Sequence, residues 1–171
     1  MRRLALALLL ATAPAHAAVT FSAPDAFISS NETLVAQPPA AVWAALVNWG
    51  AWWDPAHSYS GKPGALHLDA RAGGTLSENW PGGSTQHAVV VNALPVALLR
   101  LHGGFGPLQA LPVTAVLDFS LKPEAGSTRL TMTYRVAGSA ASKLDVLAVP
   151  VDTVMTANFA RLVAFATTGK P

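Results

Sequence analysis

The plainest signal in the chain runs from Ser127 to Val136. Leu130, Met132, Tyr134 and Val136 alternate there with Arg129, Thr131, Thr133 and Arg135. A period of two with one apolar face predicts a strand of an antiparallel sheet whose other face meets water. Similar runs bounded by Gly, Pro or Asn predict strands at Thr85–Asn92, Ala97–His102 and Leu111–Lys122. Upstream, Phe27–Ala36 reads as a first strand. Ala65–Arg71 alternates, with Leu66 and Leu68 inward and His67, Asp69 and Arg71 outward. Beyond the turn at Gly73-Gly74, Thr75–Trp80 sets Leu76, Glu78 and Trp80 on one face.

Two stretches change period. In Ala40–Asn48, Val42, Trp43, Leu46 and Val47 share one side at helical spacing, and Pro38-Pro39 suit the first turn. Near the C-terminus Leu144, Leu147, Val151, Met155, Phe159, Leu162 and Ala166 recur at intervals of three and four, until Gly169 takes the usual terminating position. Ser142-Lys143-Leu144-Asp145 fits a capping box with Asp in the Glu/Gln role. Pro150 is expected to kink this helix or split off its first turn. The order is strand, short helix, six strands, then a long helix of ~25 residues with a strongly apolar face. That predicts an α+β chain: a curved antiparallel sheet of about seven strands wrapped around a C-terminal helix. The side chains of one helix do not fill such a concavity, so a gap is expected between them.

The N-terminus changes the charge picture. Met1-Arg2-Arg3, the apolar run Leu4–Ala13 and Ala15-His16-Ala17 have the form of a secretory signal peptide with cleavage after Ala17. The run is shorter than the ~20 residues that span a bilayer, and no Cys follows for lipoprotein processing. A single domain at residues 18–171 is therefore expected, periplasmic or secreted, with no stable membrane anchor. The chain has eleven Lys plus Arg and nine Asp plus Glu, and without Arg2 and Arg3 the two signs balance. The sequence pI of 9.3 owes much to the leader; no basic face for nucleic acid or anionic lipid remains. Without cysteines, disulfides, thiol chemistry and Cys metal sites are excluded. With 51% hydrophobic and 12% charged residues the chain is globular.

Trp49–Gly61 reads W-G-A-W-W-D-P-A-H-S-Y-S-G and holds three of the five tryptophans. Bulky rings with polar tips in a segment broken by Gly and Pro are expected to line a cavity mouth as a loop, not all to fill the core. Trp52, Trp53 and Tyr59 are the expected rim. Phe105, in G-G-F-G-P, is an expected exposed gate on a flexible loop, unless its glycines simply turn the chain. His57 either sits at the entrance with Tyr59 or caps the aromatic cluster.

Inside, Glu78 shares a face with Leu76 and Trp80. A buried carboxylate must be paired or protonated, so it could hold a ligand hydroxyl or transfer a proton; alternatively the strand slips and Glu78 faces water or pairs with an Arg. His87 shares a face with Val89 and Val91, pointing into a cavity or satisfied as a neutral imidazole in the core. The Tyr134 hydroxyl needs a partner, either a polar ligand group or a backbone carbonyl. Met155 and Phe159 read as core and, equally, as the cavity's roof. His67 and Asp69, two apart on an outward face, could bridge a metal, but without a third ligand they read as a surface pair, and no metal or other cofactor is expected. H-E-x-x-H and G-x-S-x-G are absent. Asn31-Glu32-Thr33 matches a glycosylation acceptor.

The element order, with P-P-A-A-V-W-A-A-L at Pro38–Leu46, W-W-D-P-A-H at Trp52–His57, R-A-G-G-T-L-S-E-N-W at Arg71–Trp80 and V-D-T-V-M-T-A-N-F-A-R-L at Val151–Leu162, resembles the START-like or SRPBCC superfamily, in its polyketide-cyclase and heat-shock-ATPase-activator branch. The resemblance covers essentially all of residues 18–171. It implies a helix-grip fold with a deep, mostly apolar cavity roofed by the long helix. Members bind lipids, sterols, polyketides or hormones, and only some catalyse; the family has no shared catalytic motif. Three functions are then expected: binding of a small hydrophobic molecule, lipid or aromatic; a cyclase or isomerase using Glu78 and His87; or a protein-interaction module.

Overall fold

In the computed structural model, which describes residues 16–62 and 64–171, the plainest strand of the sequence pattern holds its place. It is the last of eight strands: β1 (His16–Ala23), β2 (Ala26–Val35), β3 (Leu66–Leu68), β4 (Thr75–Trp80), β5 (Gly83–Leu94), β6 (Leu98–His102), β7 (Thr114–Glu124) and β8 (Ser127–Ala137). They form one antiparallel sheet in the order β1-β2-β8-β7-β6-β5-β4-β3. The inward set Leu130, Met132, Tyr134 and Val136 is buried. On the other face Arg129 bridges Glu32 and Glu124, and Asp118 receives both Arg100 and Arg135. Opposite charges on neighbouring strands thus occupy the solvated side.

Among the described residues three α-helices lie along the chain: α1 (Pro39–Val47), α2 (Trp49–Trp52) and α3 (Leu144–Thr168). Pro39 opens α1, where its missing N–H has no helical partner to lose. The long α3 packs against β1 and β2, and α1 packs against α3. Its apolar stripe, including Leu144, Val151, Met155, Phe159 and Leu162, is buried, each such side chain contributing about 1.5–3 kcal/mol.

Several expectations change. The sheet has eight strands, because β1 precedes the first one expected. Its run of small residues shows no clear alternation. The expected cleavage point after Ala17 falls inside β1, while residues 1–15 of the expected leader lie outside the described residues. The capping box does not form. Lys143 instead takes a left-handed conformation ahead of α3, and the Leu144 N–H bonds the Pro24 carbonyl in the β1–β2 connection. Nor does Pro150 split the helix, which is continuous from Leu144 to Thr168. Val146, Val149 and Pro150 are exposed, so the ring interrupts the ladder away from the packed core.

The Trp49–His57 segment is not loop. Trp49–Trp52 is a helical turn and Pro55–His57 a 3-10 turn capped by the Asp54 carboxylate on the Ala56 N–H.

Candidate functional site

A cavity of about 580 Å³ lies between α3 and two connections. Pro150, Val151, Val154 and Met155 face it from α3. The segment after α2 supplies Trp53, Ala56, His57, Ser58 and Tyr59, and the turn after β6 supplies Phe105, Gly106, Pro107 and Ala110. Leu66 and His87 complete it from the strands. No Lys, Arg, Asp or Glu is among these residues. The wall is apolar apart from two imidazoles, a serine and a tyrosine.

His87 reaches the wall through an irregularity. Along the β4–β5 ladder Leu76 pairs with Ala88 but Ser77 pairs with Gln86, so His87 is the extra residue of a β-bulge. A bulge interrupts the period of two, and His87 and Ala88 are consecutively buried. The expected common face of His87 with Val89 and Val91 is therefore wrong: Val91 is exposed, at a second irregularity between β5 and β6. Gly103 lies against the bulge, where any Cβ would run into the His87 carbonyl oxygen.

Glu78 is fully buried and faces inward. Its Oε2 accepts the Tyr59 N–H at 3.0 Å and stands 3.0 Å from His87 Nε2; its Oε1 accepts the Ser60 N–H at 2.6 Å. Burial pushes the carboxyl pKa up, but the hydrogen bonds from Ser60, Tyr59 and His87 outweigh it and bring the pKa down to about 2. The partner is thus two backbone amides and a histidine, neither water nor an Arg. Glu78 stands behind His87, not on the cavity wall.

Of the expected rim, Trp52 is core. Like Trp49 it is 1% exposed, their ring centroids 4.6 Å apart and both edge-on to Phe119. The Trp52 indole N–H donates to the Leu46 carbonyl, which satisfies it without solvent. Trp53 does line the cavity, with its N–H donated to the His57 carbonyl. Phe105 lines it too, but as a buried ring stacked on His87 at 6.1 Å, not an exposed gate. Its N–H donates to the Tyr134 hydroxyl, which in turn donates to the Gly103 carbonyl. Tyr134 therefore holds backbone, away from the cavity, and burial pushes its phenol pKa up. Of the two expected roof residues Met155 faces the cavity, while Phe159 is buried outside it.

At the entrance His57 is exposed, and its Nδ1 stands 3.8 Å from Asp54, beyond hydrogen-bond range. Tyr59 is exposed, stacks on Trp80 and donates its hydroxyl to Gln109, joining the two connections. His67 is exposed, and the Asp69 partner is Arg71 at 2.9 Å, not a shared metal position. Asn31 of the glycosylation triplet is fully buried, which closes it to modification.

Sequence reasoning missed Pro150, Val154 and Leu66 on the wall, and Gln109 and Asn158 as fasteners. For α3 a signal existed. Pro150 and Val154, four apart, stand one position before Val151 and Met155 and so flank the expected apolar stripe. The polar fasteners carry no comparable spacing, because each bonds backbone distant in sequence.

No protein-family model matches the sequence; no curated protein matches it either. Solved structures do share its shape. CalU16 from Micromonospora echinospora superposes with a TM-score of 0.64 at 16% identity, over 96% of this chain and 80% of that one. The Aha1 dimer of Colwellia psychrerythraea gives 0.60 at 14% identity, over 83% and 97%. The di-domain ARO/CYC StfQ from the steffimycin biosynthetic pathway gives 0.58 at 14% identity, over 84% of this chain and 51% of that one. The chain shares the helix-grip fold with these structures. Its short helix follows the second strand, and its long C-terminal helix lies against the sheet.

Proposed function

We propose that the protein binds a small, mostly apolar molecule in this cavity. The observation that carries the reading is a volume of about 580 Å³ lined, among the described residues, without one charged side chain, inside the ~300–1,000 Å³ range of small-molecule sites. About ten buried methylenes at ~0.8 kcal/mol each supply roughly 8 kcal/mol of transfer energy. Association and ordering remove several kcal/mol of it, so affinity in the micromolar range is expected. Trp53 supplies the readout. An environment-sensitive hydrophobic fluorophore should enter and quench tryptophan emission, and fatty acids or aromatic hydrophobes should displace it. If saturating amounts of both classes leave emission and melting temperature unchanged, the reading is wrong.

A second reading is a cyclase or isomerase with His87 as the proton-transfer group. It is favoured by the buried Glu78–His87 contact, since an imidazole oriented by a carboxylate is a common acid–base device. Glu78, held ionised behind the ring, is its positioning partner. The interaction-module reading expects no continuous cavity, so the observed volume favours the ligand reading. Export belongs to the same proposal, with the leader at residues 1–17 delivering the domain to the periplasm or beyond. Cleavage after Ala17 leaves the β1 pairing from Ala18 with Ser30 onward. N-terminal sequencing of protein recovered from an exporting host tests it.

A further inference from the structure

We propose that the cavity selects apolar molecules that carry a hydroxyl, and that Nδ1 of His87 is the acceptor for that hydroxyl's proton. The proposal rests on the cavity being a ligand site and adds the chemical class of the ligand. It starts from Glu78, whose carboxylate is fully buried and clamped by the Tyr59 and Ser60 backbone N–H groups. Two amides that cannot titrate hold the carboxylate in its ionised form, and an ionised carboxylate only accepts. The imidazole nitrogen facing it at 3.0 Å, Nε2, must therefore carry a proton. We take the ring in its neutral form, in which the other nitrogen, Nδ1, is a lone pair.

The ring cannot easily turn to present a different edge. It sits on the bulge, is 5% exposed, and is flanked by Phe105 and by Tyr59, whose ring centroid is 5.7 Å away. The side chain lines the cavity, and among the described residues Nδ1 has no hydrogen-bond partner in the protein. The other polar groups of the wall are engaged. Trp53 Nε1 donates to the His57 carbonyl, Ser58 Oγ donates to the Pro55 carbonyl and accepts from Gly61, and the Tyr59 hydroxyl donates to Gln109. Only exposed His57, at the entrance, is left without such a bond.

The deep wall thus offers an acceptor and no free side-chain donor. An ether or hydrocarbon leaves Nδ1 unpaired, and desolvating an unmatched acceptor costs affinity. A carboxylate meets a lone pair with the Glu78 charge behind it and no Lys or Arg to compensate. A phenol or alcohol on an apolar skeleton is the matching guest.

The test compares ligands of similar shape on the unmodified protein by tryptophan quenching: 2-naphthol, 2-methoxynaphthalene and naphthalene, the last two bracketing the first in size, with 2-naphthoate as the anion. 2-Naphthol is expected to bind about tenfold more tightly than either neutral comparator, the equivalent of one hydrogen bond, and 2-naphthoate most weakly. In His87→Phe the preference should vanish while 2-methoxynaphthalene still binds. Nitrogen NMR of the wild-type imidazole supplies a readout that needs no variant. It should show the proton on Nε2, and 2-naphthol should move the Nδ1 resonance. Equal affinity for the three neutral compounds, tightest binding of 2-naphthoate, or a preference that survives His87→Phe overturns the hydroxyl selection and leaves the cavity reading standing. Failure of all four to bind removes both.

Discussion

Asn158 on α3 accepts the backbone N–H of Asp54 at 2.8 Å, joining positions 104 apart in the chain. One turn further along, Arg161 donates its Nε–H to the Trp52 carbonyl at 2.8 Å. These two bonds fix the aromatic segment to the helix that carries the opposite wall of the cavity. Side chain-to-backbone bonds thus tie the two walls of the cavity together.

Asn158→Leu should cost about 1–3 kcal/mol, because the Asp54 N–H then loses its acceptor in a partly buried site. Urea denaturation measures the loss. Fluorophore affinity should fall further than stability alone explains, since one wall is no longer anchored.

Glu78→Gln should destabilise by about 2–3 kcal/mol at neutral pH, the scale of hydrogen bonds to a charged group. The sign of the pH dependence follows from the depressed pKa. From an unfolded value of 4.5 to a folded value of about 2, the native state releases its proton more readily, so the contribution is complete above the former and lost as pH falls through the latter. Denaturation curves across that window should fall for the wild type and lie flatter for the variant. Parallel curves would mean that Glu78 is not the group responsible.

Tyr134→Phe leaves the Phe105 N–H and the Gly103 carbonyl unpaired in the interior, at a cost of about 2–3 kcal/mol. The Tyr134 pKa is raised, so the stability its protonated hydroxyl contributes is complete below the ordinary tyrosine range and lost only at higher pH. Ultraviolet titration should show this phenol ionising together with unfolding.

Val154→Trp should fill much of the cavity from the α3 side and reduce fluorophore affinity by an order of magnitude or more, the loss of roughly 1.4 kcal/mol or above. Val154 is half-buried and faces the cavity, so the fold should survive, as a near-native melting temperature would show. Trp52→Phe is the control: its indole bonds Leu46 inside the core, and its loss should lower stability without altering relative ligand affinities.

Much of the fold was readable because it rests on periodicity. The stripe from Leu144 to Leu162 and the alternation from Leu130 to Val136 each repeat one local rule over many residues. The site was readable where it obeys the same rules: Glu78 turned inward with Leu76, as alternation requires. It became illegible where a local rule is broken by partners distant in sequence. The aromatic segment could not be divided between core and wall, because what buries Trp52 and exposes Trp53 to the cavity is the placement of α3 and Phe119. His87 was assigned to the wrong neighbours, since nothing in G-S-T-Q-H-A-V-V-V announces an unpaired residue. Lys143 replaced the capping box because the first helical amide finds Pro24, a contact made only once β1 and β2 are paired.

The supernumerary position at His87 makes the chemistry of the pocket a matter of counting. Excising one residue between Gln86 and Ala88 would restore unbroken pairing with β4 and take the imidazole away, while Val90 and everything beyond it could stay in register. One codon inserted or deleted at this point would therefore add or remove the buried imidazole of the pocket.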